Sequence, residues 1–325
     1  MTTAAGHSPT VPLSSGWSAL PPEYAIPDHA PTEAEAREYC RRLARSHYEN
    51  FSVASWFLPR RLRQHFFNVY AYCRISDDLG DEAGDTAVSL ELLDQWELEL
   101  GACYAGRARH PVFVALAETV HKFEIPKQEF ADLLTAFRQD QRVSRYETFT
   151  DLLGYCRYSA NPVGHLVLYL CGYGDAERQQ LSDYTCTALQ LANFWQDVSA
   201  DFAKGRIYLP LEDLQRFGVK EEAIGEEENT LAFRAMMQFE VERAREWFGQ
   251  GVPLIGKVDR KLATDIELFS RGGQEILNAI ERQHYAVLGR RPAISKSRKL
   301  GLVGRAALGK LLGSSPGNQT GQQKR

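Results

Sequence analysis

Two groups of oxygen-bearing side chains dominate the chemistry this chain could do. Asp77, Asp78, Asp81 and Glu82 crowd the stretch Arg-Ile-Ser-Asp-Asp-Leu-Gly-Asp-Glu, and Asn193, Asp197 and Asp201 recur in Gln-Leu-Ala-Asn-Phe-Trp-Gln-Asp-Val-Ser-Ala-Asp. In a helix, residues four apart share a face, so Asp77 stacks on Asp81, and Asn193, Asp197 and Asp201 form one stripe. Like charges at that spacing cost roughly 0.2–0.5 kcal/mol per pair. Two such stripes facing one cavity repel further unless a cation lies between them. Oxygen ligands with room for water suit Mg2+, which takes one or two carboxylates together with substrate phosphates. The spacing therefore predicts a Mg2+–diphosphate site between helices.

An acidic helix is more often a solvated face, and one cluster alone would be read that way. The neighbours argue otherwise. Val69, Tyr70, Ala71, Tyr72, Cys73 and Ile75 precede the first cluster, and Leu189, Leu191, Ala192, Phe194, Trp195 and Val198 surround the second. Helices apolar on most of their circumference are buried, so their acids face an internal cavity, where an unpaired carboxylate is costly. Arg74, Lys204 and Arg206 accompany the acids. They are either local ion-pair partners or clamps for diphosphate oxygens, and the pattern leaves both open. Tyr155, Tyr158, Asn161 and Gly164 share another helical stretch, in which Pro162 predicts a kink and Pro162 with Gly164 predicts open space alongside. Tyrosine faces there could stabilise a carbocation, although ordinary packing is the commoner role of any single Tyr.

The elements that must position these residues read as helical nearly throughout. Thr32 caps a first helix, Pro59 starts the one that carries the first cluster, and further helices are expected near 87–105, 110–123, 127–139, 148–172, 177–203, 229–250 and 256–288. Gly205-Arg-Ile-Tyr-Leu-Pro reads as an extended turn. Residues 1–30, rich in Pro, Ser, Thr and Ala, read as a flexible arm, 31–291 as one all-α domain around a central cavity, 292–312 as a basic C-terminal helix and 313–325 as a disordered tail. In the basic helix, Leu300, Val303, Ala307 and Leu311 are flanked by Lys296, Arg298, Lys299, Arg305 and Lys310. That pattern fits either the closing helix of a bundle or contact with an anionic membrane.

Composition narrows the classes. A hydrophobic content of 44% supplies a core, and a net charge of −4 gives no reason to expect nucleic acid. Six scattered cysteines without a Cys-x-x-Cys pair read as reduced thiols of a cytoplasmic protein. No signal-peptide pattern opens the chain, and no apolar run reaches the roughly 18 residues of a membrane span. Dinucleotide, Walker and nucleophile-elbow motifs are lacking. His47 and His165 lack metal-ligand spacing and read as core or surface residues.

With these residues in view, the chain resembles the squalene/phytoene synthase family over roughly residues 35–290. Tyr70-Ala-Tyr-Cys-Arg-Ile-Ser-Asp-Asp-Leu-Gly-Asp-Glu82 is similar to its first Asp-rich motif. Gln190-Leu-Ala-Asn-Phe-Trp-Gln-Asp-Val-Ser-Ala-Asp201, with Gly205-Arg-Ile-Tyr-Leu-Pro210, is similar to its second. Members that join two prenyl diphosphates carry His-Ser-x-Ser-Phe where this chain has His47-Tyr-Glu-Asn-Phe51, and Asn-Ile-x-Arg-Asp where this chain has Gln196 in place of the cation. Some place a phosphate-touching Tyr where this chain has Phe269-Ser-Arg-Gly-Gly273. These departures resemble the bacterial hydroxysqualene synthases (HpnC-type).

That resemblance implies an all-α isoprenoid synthase fold and Mg2+-dependent conversion of presqualene diphosphate and water to hydroxysqualene and diphosphate, in squalene and hopanoid formation. It implies Asp77, Asp78, Asp81, Asn193, Asp197 and Asp201 as metal ligands. Arg74, Phe51, Asn161, Gln190, Lys204, Arg206 and Tyr208 are the implied substrate contacts, and Tyr70 and Tyr155 join Asp77, Asp81 and Asp197 in the chemistry. Other enzymes of squalene formation and a membrane surface are the implied neighbours. Two alternatives stay open: a condensing squalene or phytoene synthase, and a non-catalytic helical protein that binds Mg2+ or a prenyl lipid.

Overall fold

The computed structural model describes residue 17 and residues 20–46 and 60–295. Among them the secondary structure is helical, with no strand. The helices are α1 (Glu33–Ser46), α2 (Arg63–Asp81), α3 (Thr86–Tyr104), α4 (Pro111–Lys122), α5 (Lys127–Asp140), α6 (Phe149–Ser159), α7 (Asn161–Leu170), α8 (Ala176–Gln196), α9 (Val198–Ala203), α10 (Leu211–Phe217), α11 (Glu221–Gly225), α12 (Leu231–Gly251) and α13 (Arg260–Arg282). The all-α expectation holds. Thr32 caps α1 through a capping box with Glu35.

Pro162 does more than kink its helix. The chain breaks at Ala160, and Pro162 sits in the first turn of α7, where its missing N–H costs nothing. Gly164 and Val163 line the open space expected alongside. Glycine also lets α7 close on α8, because a Cβ there would meet Ser182 Oγ and, at 2.6 Å, Cys186 Sγ. The extended turn is as expected, with Ile207 N–H donating to Ser144 O (2.9 Å) and Leu211 N–H to Tyr146 O (2.9 Å).

Two hydrophobic cores form. One gathers α1–α5 around Tyr72, Trp96, Phe113 and Phe130. The other gathers α6, α8, α12 and the end of α13 around Trp195, Phe233, Met236 and Phe248. Helix α2 belongs to the first and α8 to the second, with α7 packed against both.

The arm expected to be flexible is folded where it is described. Trp17, Leu20 and Tyr24 are buried in the first core, because these three supply the apolar anchors that the Pro/Ser/Thr composition masks. Pro59 and residues 296–325, hence nearly all of the basic helix and the tail, lie outside the described residues. No described helix is long and apolar enough to cross a membrane. All six cysteines are free.

His165 clamps the two halves. Its Nδ1 lies 2.9 Å from Glu129 Oε2 on α5, and its Nε2 lies 2.7 Å from Asp183 Oδ1 on α8. Burial alone would lower its pKa, but the two carboxylates outweigh it and raise it to about 9. A folded pKa above the unfolded one stabilises the fold fully below the unfolded value, and the effect is lost as pH rises through the folded one. His165→Ala strands two carboxylates and is expected to cost about 1–3 kcal/mol near pH 6, with a smaller gap from wild type above pH ~9. Urea melts at both pH values check this, and equal gaps would remove the clamp.

Candidate active site

Helices α2 and α8 are buried on most sides, and each leaves one open stripe. On α2 the stripe runs through Tyr70, Cys73, Arg74, Asp77 and Asp81. On α8 and α9 it runs through Cys186, Leu189, Gln190, Asn193, Asp197 and Asp201. The N-terminal parts of both stripes are apolar and line a cavity of about 360 Å³, with Phe66, Val69, Tyr70 and Cys73 on one side and Thr185, Cys186 and Leu189 on the other. Their C-terminal parts are acidic. The first cluster thus sits at the negative pole of α2, where carboxylates are disfavoured by about 0.3–1 kcal/mol each, whereas Asp197 joins the end of α8 to α9 and Asp201 lies in the first turn of α9.

The structure brings the two clusters together through cations. Gly205 adopts φ +80°, and the turn it permits sends Lys204 Nζ to Asp81 Oδ2 (3.2 Å) and Arg206 Nη2 to Asp81 Oδ1 (3.1 Å). The basic residues of the second motif therefore pair with the acid of the first. Arg291, from the chain after α13, pairs with both oxygens of Asp197. Gln196 holds it there, accepting from Arg291 Nη2 at 3.1 Å and donating to Pro292 O at 2.6 Å. The uncharged Gln196 thus recruits a cation from far along the chain.

Two acids are less fully compensated, Asp77 with only Arg74 at 3.9 Å and Asp201 with no ion pair among the described residues. Partial burial first, and the Asp81 charge second, push Asp77 up to about 6. Burial and then Asp197 push Asp201 up to about 7. Carboxylates held above their usual range by burial and then by like charge fit a hard divalent cation. Among the described residues, however, no three His, Cys, Asp or Glu side chains converge on one metal position, because Lys204, Arg206 and Arg291 stand among them.

Asp78 departs from the expected ligand set. Only about 100° of helix turn separates successive residues, so Asp78 points away from the stripe. It is buried, with Oδ2 accepting from Arg74 Nε (3.0 Å) and Tyr24 Oη (2.7 Å), and Oδ1 pairing with Arg74 Nη2. Asn161 is also turned from the acids, its Oδ1 accepting from Thr187 Oγ1 at 3.0 Å. Gln190 and Asn193 lie on the open stripe. Phe51 lies outside the described residues.

Beside the acids, Tyr146, Tyr155, Phe194 and Tyr208 form an aromatic cluster, with Phe194 and Tyr208 stacked at 3.9 Å. Tyr155 donates to Asp140 Oδ2 at 2.9 Å, and Tyr208 to Asp140 Oδ1 at 3.3 Å. Burial raises Asp140 to about 6, against the pull of Arg206. Asp140 and Arg291 escaped the sequence reading. Asp140 ends α5 in Arg-Gln-Asp-Gln with its partners far away in sequence, whereas the Arg290-Arg291 pair was a visible signal.

Comparison with known proteins agrees with this geometry. The squalene/phytoene synthase profile matches residues 44–298. A crystal structure of squalene synthase HpnC from Alicyclobacillus acidocaldarius is 46% identical with a TM-score of 0.75, covering 83% of this chain and 99% of that one. A dehydrosqualene synthase in complex with a ligand is 28% identical with a TM-score of 0.77, covering 87% and 98%. The 15-cis-phytoene synthase of Synechocystis sp. is 32% identical over 278 residues, 82% of each chain. An all-helical fold, paired acidic motifs on facing helices and a match over most of the length lead to one conclusion: the chain belongs to the squalene/phytoene synthase family.

Proposed function

We propose that this chain converts presqualene diphosphate and water to hydroxysqualene and diphosphate. One observation carries the reading: the stripes of α2 and α8 change together from apolar to acidic, so a single molecule with a long hydrocarbon body and a diphosphate head fits between them. The branch is supported by the 46% identity to a squalene synthase HpnC and by the departures at 47–51, 196 and 269–273 from the two-substrate pattern.

Asp77, Asp81, Asn193, Asp197 and Asp201 would hold Mg2+, and Mg2+ bound there would supply Lewis-acid stabilisation of the leaving diphosphate. Arg74, Lys204 and Arg206 stand beside the acids and clamp the remaining oxygens. Burial raises the pKa of Tyr70, which keeps its hydroxyl protonated one turn below Arg74. The C–O bond breaks with its electron pair on the diphosphate oxygen. The cyclopropylcarbinyl cation then opens in the apolar part of the cleft, and water adds and gives its proton to the released diphosphate. Contact of the basic segment 295–312 with an anionic bilayer belongs to the same reading, since substrate and product are lipophilic.

The phytoene synthase relatives favour one second reading, condensation of two prenyl diphosphates. Purified protein with Mg2+ separates the two. Presqualene diphosphate is expected to give a product with the mass of hydroxysqualene, and farnesyl diphosphate alone to give none. A product from farnesyl diphosphate alone would establish the condensing reading instead.

A further inference from the structure

The segment before α1 lies outside the family match, which begins at residue 44, yet it reaches the site. Trp17 is buried and donates through Nε1 to Gln95 Oε1 at 2.9 Å. Pro22–Tyr24 form a short 3-10 turn. The Glu23 carbonyl is held by Tyr39 Oη at 2.9 Å and His110 Nε2 at 3.2 Å. This anchored backbone delivers the Tyr24 hydroxyl to Asp78 Oδ2, the same oxygen that accepts from Arg74 Nε.

We infer that Tyr24 is a positioning residue that sets Arg74 for the diphosphate by completing the hydrogen bonds of Asp78. A guanidinium has five N–H donors in a fixed plane. Asp78 takes Nε and one Nη2 donor, which leaves the Nη1 side, 3.9 Å from Asp77 Oδ2, turned to the acidic stripe. Tyr24 fixes the carboxylate, and the carboxylate fixes the plane. Tyr24 also draws on the Asp78 charge, so Arg74 is less fully neutralised and keeps more attraction for an anion. Removing the hydroxyl reverses both effects, and both weaken the hold on diphosphate. This inference rests on the diphosphate reading of the site.

The test titrates inorganic diphosphate with Mg2+ into full-length wild type, Tyr24→Phe, Arg74→Gln and the double variant, alongside steady-state kinetics on presqualene diphosphate. Tyr24→Phe keeps the buried ring. It is expected to weaken diphosphate binding and raise KM by roughly 3–10-fold with kcat nearly unchanged, and to have no further effect once Arg74 is Gln. Gln95→Leu, which frees Trp17 but leaves Asp78 untouched, is expected to bind as wild type. Unchanged binding in Tyr24→Phe, an additive loss in the double variant, or equal weakening in Gln95→Leu would overturn the inference. Wild-type protein that fails to bind diphosphate would remove the reading of the site, and the Tyr24 role with it.

Discussion

Alanine at Asp77, Asp81 or Asp197 is expected to lower kcat by at least about 10²-fold with the fold retained, since each removes an oxygen from the charge-stabilising site. Chelation with EDTA should do the same to the wild type. Zn2+ should restore activity poorly, because every proposed ligand is oxygen and none is His or Cys. The three variants should differ in stability. Asp77 is raised to about 6 with no close cation of its own, the nearest contact being Arg74 at 3.9 Å. A carboxylate raised in the folded state favours folding when protonated, so its destabilising effect is absent below its unfolded pKa and complete above about 6. Asp77→Ala should therefore melt at or above the wild-type temperature near neutral pH. Asp81→Ala leaves Lys204 and Arg206 facing each other, and Asp197→Ala leaves Arg291 without its carboxylate, so both should melt lower. Thermal melts at neutral pH without metal, beside turnover with Mg2+, check both halves. Near wild-type turnover in any one variant would take that residue out of the site.

The acidic stripes were legible because a four-residue repeat within apolar surroundings has one physical solution, a helix with its acids on the open side. The disturbance at Pro162, expected as a kink and found as a break between two helices, and the Thr32 cap were legible for the same reason: each is decided within a few residues. What escaped was decided over distance. Asp78 carries the same letter as Asp77, and only its buried partners, one of them Tyr24 from outside the core pattern, show that it serves Arg74. The turn at Gly205 was visible, but not that it would carry Lys204 and Arg206 to Asp81, more than a hundred residues earlier. The composition of the first thirty residues concealed Trp17, Leu20 and Tyr24, whose size and apolarity were the available signal. The short helices α10 and α11 were missed because their charged sequences show too few turns for a period to emerge.

Asp140 gives the sharpest test of what the structure adds. Asp140→Asn keeps one carbonyl oxygen and turns the second acceptor into an NH2 donor, so one of Tyr155 and Tyr208 must switch to accepting and its own O–H proton loses its acceptor. Leaving that buried proton without an acceptor costs about 1–3 kcal/mol. Against that, Asp140 is raised to about 6 chiefly by burial, and removing an ionised group held that far above its usual value returns on the order of 2–3 kcal/mol near neutral pH. The two terms offset, and net stability should change little near neutrality. Its pH dependence should change more. The wild-type folded state binds the extra proton between the unfolded carboxylate pKa and about 6, so Asp140 makes stability fall as pH rises through that window. The Asn variant should lack this fall. Activity should not be spared. The two tyrosine rings lose their common tether, and Arg206, freed from one of its two attracting acids, is drawn wholly to Asp81. Misplacement of that kind is expected to lower kcat by roughly 10–10²-fold. Turnover, with urea melts near pH 5 and pH 7, separates the effects: full activity in a stable Asn variant would reduce Asp140 to a packing residue.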